Sequence, residues 1–175
     1  MNRCWKRALA LADRIDTLTW AAGKLATALL LVLIALVGWN VLGRYLVGGG
    51  SVALQELEWH FLAPIALLGI TLLVLENGHV RVDMVYDKLS GRAQTWLDLM
   101  SMICGIVMAL LFIKYSVGFV ESSWSLGEGS PDPGGLPGRY LLKAMIPIGF
   151  ALFALQCLAK AIRHAAILTD RSTAP

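Results

Sequence analysis

Apolar residues along this chain run in long blocks divided by short polar breaks. Leu25–Gly43 contains no charged residue, and with its flanks this block extends over 17–46. Further blocks cover 57–75, 99–120 and 140–162. Lys114 interrupts the third, while Lys143 and Lys160 sit near the ends of the fourth, where a long stem carries the ammonium toward the interface. Each block supplies the about 20 residues that a helix needs to cross a hydrocarbon layer of about 30 Å. A helix also satisfies its own backbone polar groups there. The pattern predicts an all-α integral membrane protein with four transmembrane helices, over about 17–46, 57–75, 96–120 and 140–162.

The flanks set further expectations. In Cys4–Asp16, Trp5, Ala8, Leu9, Ala12 and Ile15 form an approximate i, i+3, i+4 stripe, with Arg3, Lys6, Arg7, Asp13 and Arg14 at other positions. This predicts a short N-terminal interfacial helix in segment 1–16, its basic side toward anionic lipid. One four-helix domain then spans 17–162, and 163–175 reads as a cytoplasmic tail. Ten Lys and Arg residues fall on the side of the N-terminus, the second loop and the C-terminus, against three on the other (Arg44, Arg139 and Lys143). That asymmetry puts both termini in the cytoplasm. The first block is longer than a signal-peptide core and ends in Asn40–Arg44 instead of a small-x-small cleavage site, so it is expected to be retained. The six tryptophans fall near the block ends, as an interfacial belt requires.

Composition narrows the function. The chain has 175 residues, 57% hydrophobic and 15% charged, with net charge +3 and mean hydropathy +0.67. These values exclude a disordered chain, disfavour a water-soluble enzyme and leave no basic stripe for nucleic acid. Cys4, Cys104 and Cys157 form no framework of paired cysteines. Motifs for a serine hydrolase, a phosphate loop or a zinc protease are missing. His60, His79 and His164 fall on different sides of the membrane, a poor arrangement for axial haem ligands. No cofactor or metal is expected.

Polar groups within or beside the blocks carry the remaining information, because lipid penalises unpaired charge. Asn40 and Arg44 share one face of the first helix, and Glu56, Glu58 and His60 open the second. Lys114 and Glu121 lie on similar faces of the third, and Lys143 opens the fourth. Arg44 is expected to pair with Glu56 or Glu58, and Lys114 with Glu121 or a helix-two carboxylate. No Asp or Glu stands at the membrane midplane, so these groups are read as interhelical or docking residues. Gly127–Gly138, with Gly or Pro at 8 of 12 positions, cannot be a regular helix and predicts an extended outer loop folded against something. Pro64 and Pro147 lie inside blocks and are expected to kink their helices. His79, Arg81 and Asp83 alternate after an Asn77-Gly78 stop and read as a solvated turn.

These stretches in order resemble the small membrane subunit, DctQ-type, of the tripartite ATP-independent periplasmic (TRAP) transporters. The likeness rests on Asn40-Val41-Leu42-Gly43-Arg44-Tyr45, Gln55-Glu56-Leu57-Glu58-Trp59, Gly78-His79-Val80-Arg81-Val82-Asp83, and Glu121-Ser122-Ser123-Trp124. It continues through Gly135-Leu136-Pro137 to Lys143-Ala144-Met145-Ile146-Pro147-Ile148-Gly149. In one departure, Leu57 separates two glutamates where relatives more often have adjacent acids. The resemblance implies a scaffold and docking subunit in a bacterial inner membrane, surrounded by membrane lipids. Its implied partners are a large elevator-type (DctM-type) subunit and a periplasmic (DctP-type) solute-binding protein, importing an organic acid by symport. It also implies docking or structural roles for Asn40, Arg44, Glu56, Glu58, His60, Lys114, Glu121, Pro137 and Lys143. Alternatives from other classes are an autonomous four-helix multidrug exporter, which would use Glu56 or Glu58, and a membrane redox subunit.

Overall fold

The computed structural model describes residues 3–46, 48–78 and 86–169, with side chains from residue 5 onward. The described residues form four long helices and no strand: α1 (Arg3–Leu46), α2 (Val52–Leu75), α3 (Gly91–Ser125) and α4 (Arg139–Thr169). All four are long and apolar enough to cross a membrane. Their outward faces carry large apolar side chains, such as Leu31 (64% exposed) and Ile34 (61%), over far more surface than a water-soluble monomer leaves uncovered.

Helix ends follow local chemistry. Ser51 and Ser90 stand at the N-caps of α2 and α3, each hydroxyl accepting from a backbone N–H three residues on. At the other end of α2, Asn77 adopts a left-handed φ of 56°, and the Gly78 N–H reaches the Leu73 carbonyl. Gly127 does the same after α3 with φ 58°, so that the Glu128 N–H reaches the Ser123 carbonyl.

α4 is the hub. It packs against each of the other three helices, α1 also packs on α2, and α3 rests chiefly on α4. Small residues set the close approaches. A Cβ at Gly149 of α4 would lie 2.6 Å from the Leu67 Cβ of α2, and Gly105 of α3 faces the Cys157 Sγ. Phe112 and Phe150 stack between α3 and α4 with ring centroids 4.5 Å apart.

The N-terminal segment differs from the expected separate helix. α1 is continuous through residues 16 and 17 for 44 residues, about 66 Å at 1.5 Å per residue. The stripe that suggested a lipid-facing side meets protein instead: Ala12 and Ile15 are buried with Ala159 of α4. α4 likewise continues to Thr169, beyond the end expected at 162. Arg163, at the start of the α4 extension, pairs with Asp13 and Asp16 of the N-terminal turns of α1. His79, Arg81 and Asp83 lie outside the described residues, as does Arg171.

Candidate functional site

Polar side chains gather at two levels. At the end where α1 and α3 finish and α2 and α4 begin, Glu56 organises the Gly/Pro loop. Its carboxylate accepts the Ser130 hydroxyl and, at 2.6 Å, the Leu136 N–H. The loop closes on itself as well. Ser130 N–H bonds the Leu136 carbonyl, Arg139 N–H bonds the Glu128 carbonyl, and Asp132–Gly135 makes a turn closed at 3.0 Å. Pro133 and Gly134 (φ 81°) occupy the two central positions of that turn, the residue types that a type II turn needs there. Glu128 is ion-paired with Lys143, whose ammonium also lies 3.9 Å from the Phe119 ring centroid. The hydrogen bond from Lys143 holds the Glu128 carboxyl below its usual titration range.

Between this loop, α2 and α4 is a cavity of about 440 Å³, lined by Gln55, Glu56, Trp59, His60, Asp132 and Arg139 among others. The His60 Nδ1 lies 2.7 Å from the Glu56 carbonyl, which can only accept, so Nδ1 carries the proton. The Nε2 is buried and meets no partner among the described residues. Beside the loop, Asn40 donates to the Glu58 carboxylate at 2.9 Å, joining α1 to α2.

The second level is at the opposite end. Fully buried Gln156 of α4 accepts the Thr19 hydroxyl at 2.7 Å and donates to the Asp16 carboxylate at 2.9 Å. Arg163, two turns further along α4, bridges Asp16 and Asp13 of α1. Lys160 donates to the Asn77 side chain at the end of α2.

Both levels tie parts of this chain to each other. Residues 33–166 match the family described as Tripartite ATP-independent periplasmic transporters, DctQ component. The chain belongs to the DctQ family. It is similar to the ectoine TRAP transporter small permease protein TeaB of Halomonas elongata, with 28% identity over 133 residues. That alignment covers 75% of this chain and 66% of TeaB, so the DctQ chain spans just under two thirds of its relative's length. The family makes it a multi-pass membrane protein and a TRAP transporter small subunit.

The DctQ fold brings together only some of the residues expected to meet. Asn40, Glu56, Glu58, His60 and Lys143 all enter contacts at the loop end. Arg44 does not pair with Glu56 or Glu58. It is exposed and lies along Gly50, because Glu58 turns to Asn40 and Glu56 turns to the loop. Lys114 and Glu121 are exposed and pair neither with each other nor with a helix-two carboxylate, since α3 rests on α4 rather than on α2. Pro137 is an exposed loop residue, next to Leu136, whose N–H meets Glu56.

Glu128, Ser130, Asp13, Asp16, Gln156 and Arg163 were not singled out by the sequence pattern. A signal existed for Gln156, an uncharged polar residue deep in an apolar block. Asp13 and Asp16 carried none, because acids beside basic residues near a terminus read as ordinary solvated charges.

Proposed function

We propose that this DctQ chain is the scaffold and docking subunit of a TRAP transporter in a bacterial inner membrane, with both termini in the cytoplasm. It braces a large elevator-type subunit that carries out gradient-driven import of an organic acid delivered by a periplasmic binding protein. The single observation that supports this reading most is the fate of the two helix-two carboxylates. Glu56 is engaged by the Ser130 hydroxyl and the Leu136 N–H, and Glu58 by Asn40. A transport site needs ionisable groups that exchange partners with a solute or ion, whereas these hold a loop and a helix pair in place.

The physical logic is that of a fixed frame. An elevator slides against something that stays still, and polar ties at both ends of a helical bundle resist shear better than apolar contact alone. The Gly/Pro loop, closed on itself and anchored through Glu56, gives the periplasmic face a defined shape for docking.

Reconstitution tests this reading. Proteoliposomes containing this chain alone should take up no carboxylic acid under a sodium or proton gradient. Uptake should appear only when the large subunit and binding protein are added. Gradient-driven uptake by this chain alone would overturn the proposal.

A further inference from the structure

Three helix glycines each receive a side chain from a neighbouring helix: Leu72 meets Gly23, Cys157 meets Gly105 and Leu67 meets Gly149. Gly118 of α3, like Gly38 of α1 and Gly69 of α2, has nothing within 4 Å of where a Cβ would stand. At about 100° per residue, the buried residues Ala109, Ser116 and Ser123 fall on the same side of α3 as Phe112, which stacks on α4. Lys114, Gly118 and Glu121 fall together on the opposite side. Lys114 and Glu121 are both exposed, and neither has an ion pair or hydrogen bond among the described residues. The neighbouring Tyr115 ring offers the Lys114 ammonium an aromatic face, but from 5.9 Å away.

Depth makes Lys114 different from a surface lysine. It stands ten residues, about 15 Å of helix, before Trp124 at the nearer end of α3. Helix side chains lean toward the N-terminus of their helix, and the N-terminus of α3 is the farther end. The stem therefore points away from the nearer interface. An ammonium at that depth is costly in lipid and is commonly paired with a counter-charge, and the described residues supply none. The two helix-two carboxylates are engaged elsewhere, and α4 contains no Asp or Glu at all. A second copy of the chain is equally poor in acids at that level: those of α1 are Asp13 and Asp16, and those of α3 are Asp98 and Glu121.

We propose that the α3 face carrying Lys114, Gly118 and Glu121 is the surface on which a carboxylate-bearing transmembrane helix of the large subunit packs. Gly118 lets the two backbones approach closely, as small residues do between membrane helices. The incoming carboxylate meets Lys114, and Glu121, about two turns further along, selects a basic or hydroxyl group on the same helix. This inference rests on the reading of the chain as a TRAP small subunit and adds which face makes the contact.

The test uses all three components expressed together and purified in mild detergent. Photoreactive benzoylphenylalanine replaces Leu111, an exposed side chain on the same face two turns before Gly118, in one chain and, as a control on another helix, Leu31 of α1 in a second. The probe at 111 should cross-link to the large subunit and the probe at 31 should not. Lys114→Glu should reduce the co-purified large subunit about fivefold or more, with Lys114→Arg close to wild type. An intact complex in which the probe at 111 reaches only lipid or a second copy of this chain overturns this inference and leaves the proposed function standing. Failure of the wild-type chain to co-purify with any large subunit overturns both.

Discussion

The Asn40 side chain donates a 2.9 Å hydrogen bond to the Glu58 carboxylate, and this bond ties α1 to α2 where an ion pair through Arg44 was expected. Asn40 is 8% exposed, whereas Arg44, one turn beyond it, faces outward. Removing the amide leaves a sheltered carboxylate short of a donor, at a cost of about 1–3 kcal/mol. Asn40→Ala should lower the melting temperature of the chain in detergent, while Arg44→Ala should leave it nearly unchanged. A double variant with Glu58→Gln should recover part of the Asn40→Ala loss. Equal losses for Asn40→Ala and Arg44→Ala would show that the guanidinium contributes after all.

The opposite end gives a different kind of prediction. Arg163 holds Asp13 and Asp16 against α4, and the N-terminal turns of α1 have few other polar ties among the described residues. Arg163→Ala should free this segment without unfolding the four spans. Limited trypsin digestion should then cut faster at Arg7 and Arg14, while α3 stays protected. Unchanged cleavage would mean that burial of Ala12 and Ile15 suffices to hold the segment.

The Glu128–Lys143 pair predicts a dependence on pH. The Glu128 carboxyl titrates lower in the fold than its usual 4.5, because Lys143 donates to the charged form. A carboxyl shifted down stabilises the fold fully above its unfolded value and loses that contribution as pH falls through the folded value. Amide exchange in the Gly127–Gly138 loop, corrected for its intrinsic pH dependence, should therefore be steady near neutrality and accelerate below about pH 4.5. Lys143→Gln should raise exchange at neutral pH and flatten this dependence. A loop whose corrected exchange is the same at all pH values would remove the pair from the account.

Glycine positions separate internal from external packing. Gly149→Ala places a methyl 2.6 Å from the Leu67 Cβ, so α2 and α4 must move apart, at about 1–3 kcal/mol. Gly118→Ala meets nothing within 4 Å in this chain. In the isolated chain, the first should lower the melting temperature by several degrees and the second should leave it unchanged. Loss of stability in both would place α3 against another part of the same chain.

Much of the architecture is legible in the order of residues, and most of the polar partners are not. The Gly/Pro run is expected to be an extended outer loop folded against something; it is non-helical and does fold against α2, but it closes on itself instead of extending, because Pro133-Gly134 specifies a turn locally. What it folds against is invisible in the pattern: Glu56 lies 80 residues from Leu136 and 74 from Ser130. The N-terminal stripe is legible as helix but not as to its target. Lipid and a neighbouring helix select the same apolar spacing, so periodicity cannot distinguish them.

By itself the sequence determined that there are four spans, roughly where they lie and which family they compose. Each of those properties is local or ordered along the chain: apolar length must match a hydrocarbon layer, and motifs follow one another in register. Only the tertiary structure decided that Asp16 meets Gln156 and Arg163, some 140 and 147 residues away, and that Glu58 takes Asn40 in preference to Arg44. The reason is that pairing depends on which helix packs on which and how each is rotated. A single turn of helix moves a side chain about 5 Å, more than the reach of a hydrogen bond, while leaving its hydropathy pattern unchanged.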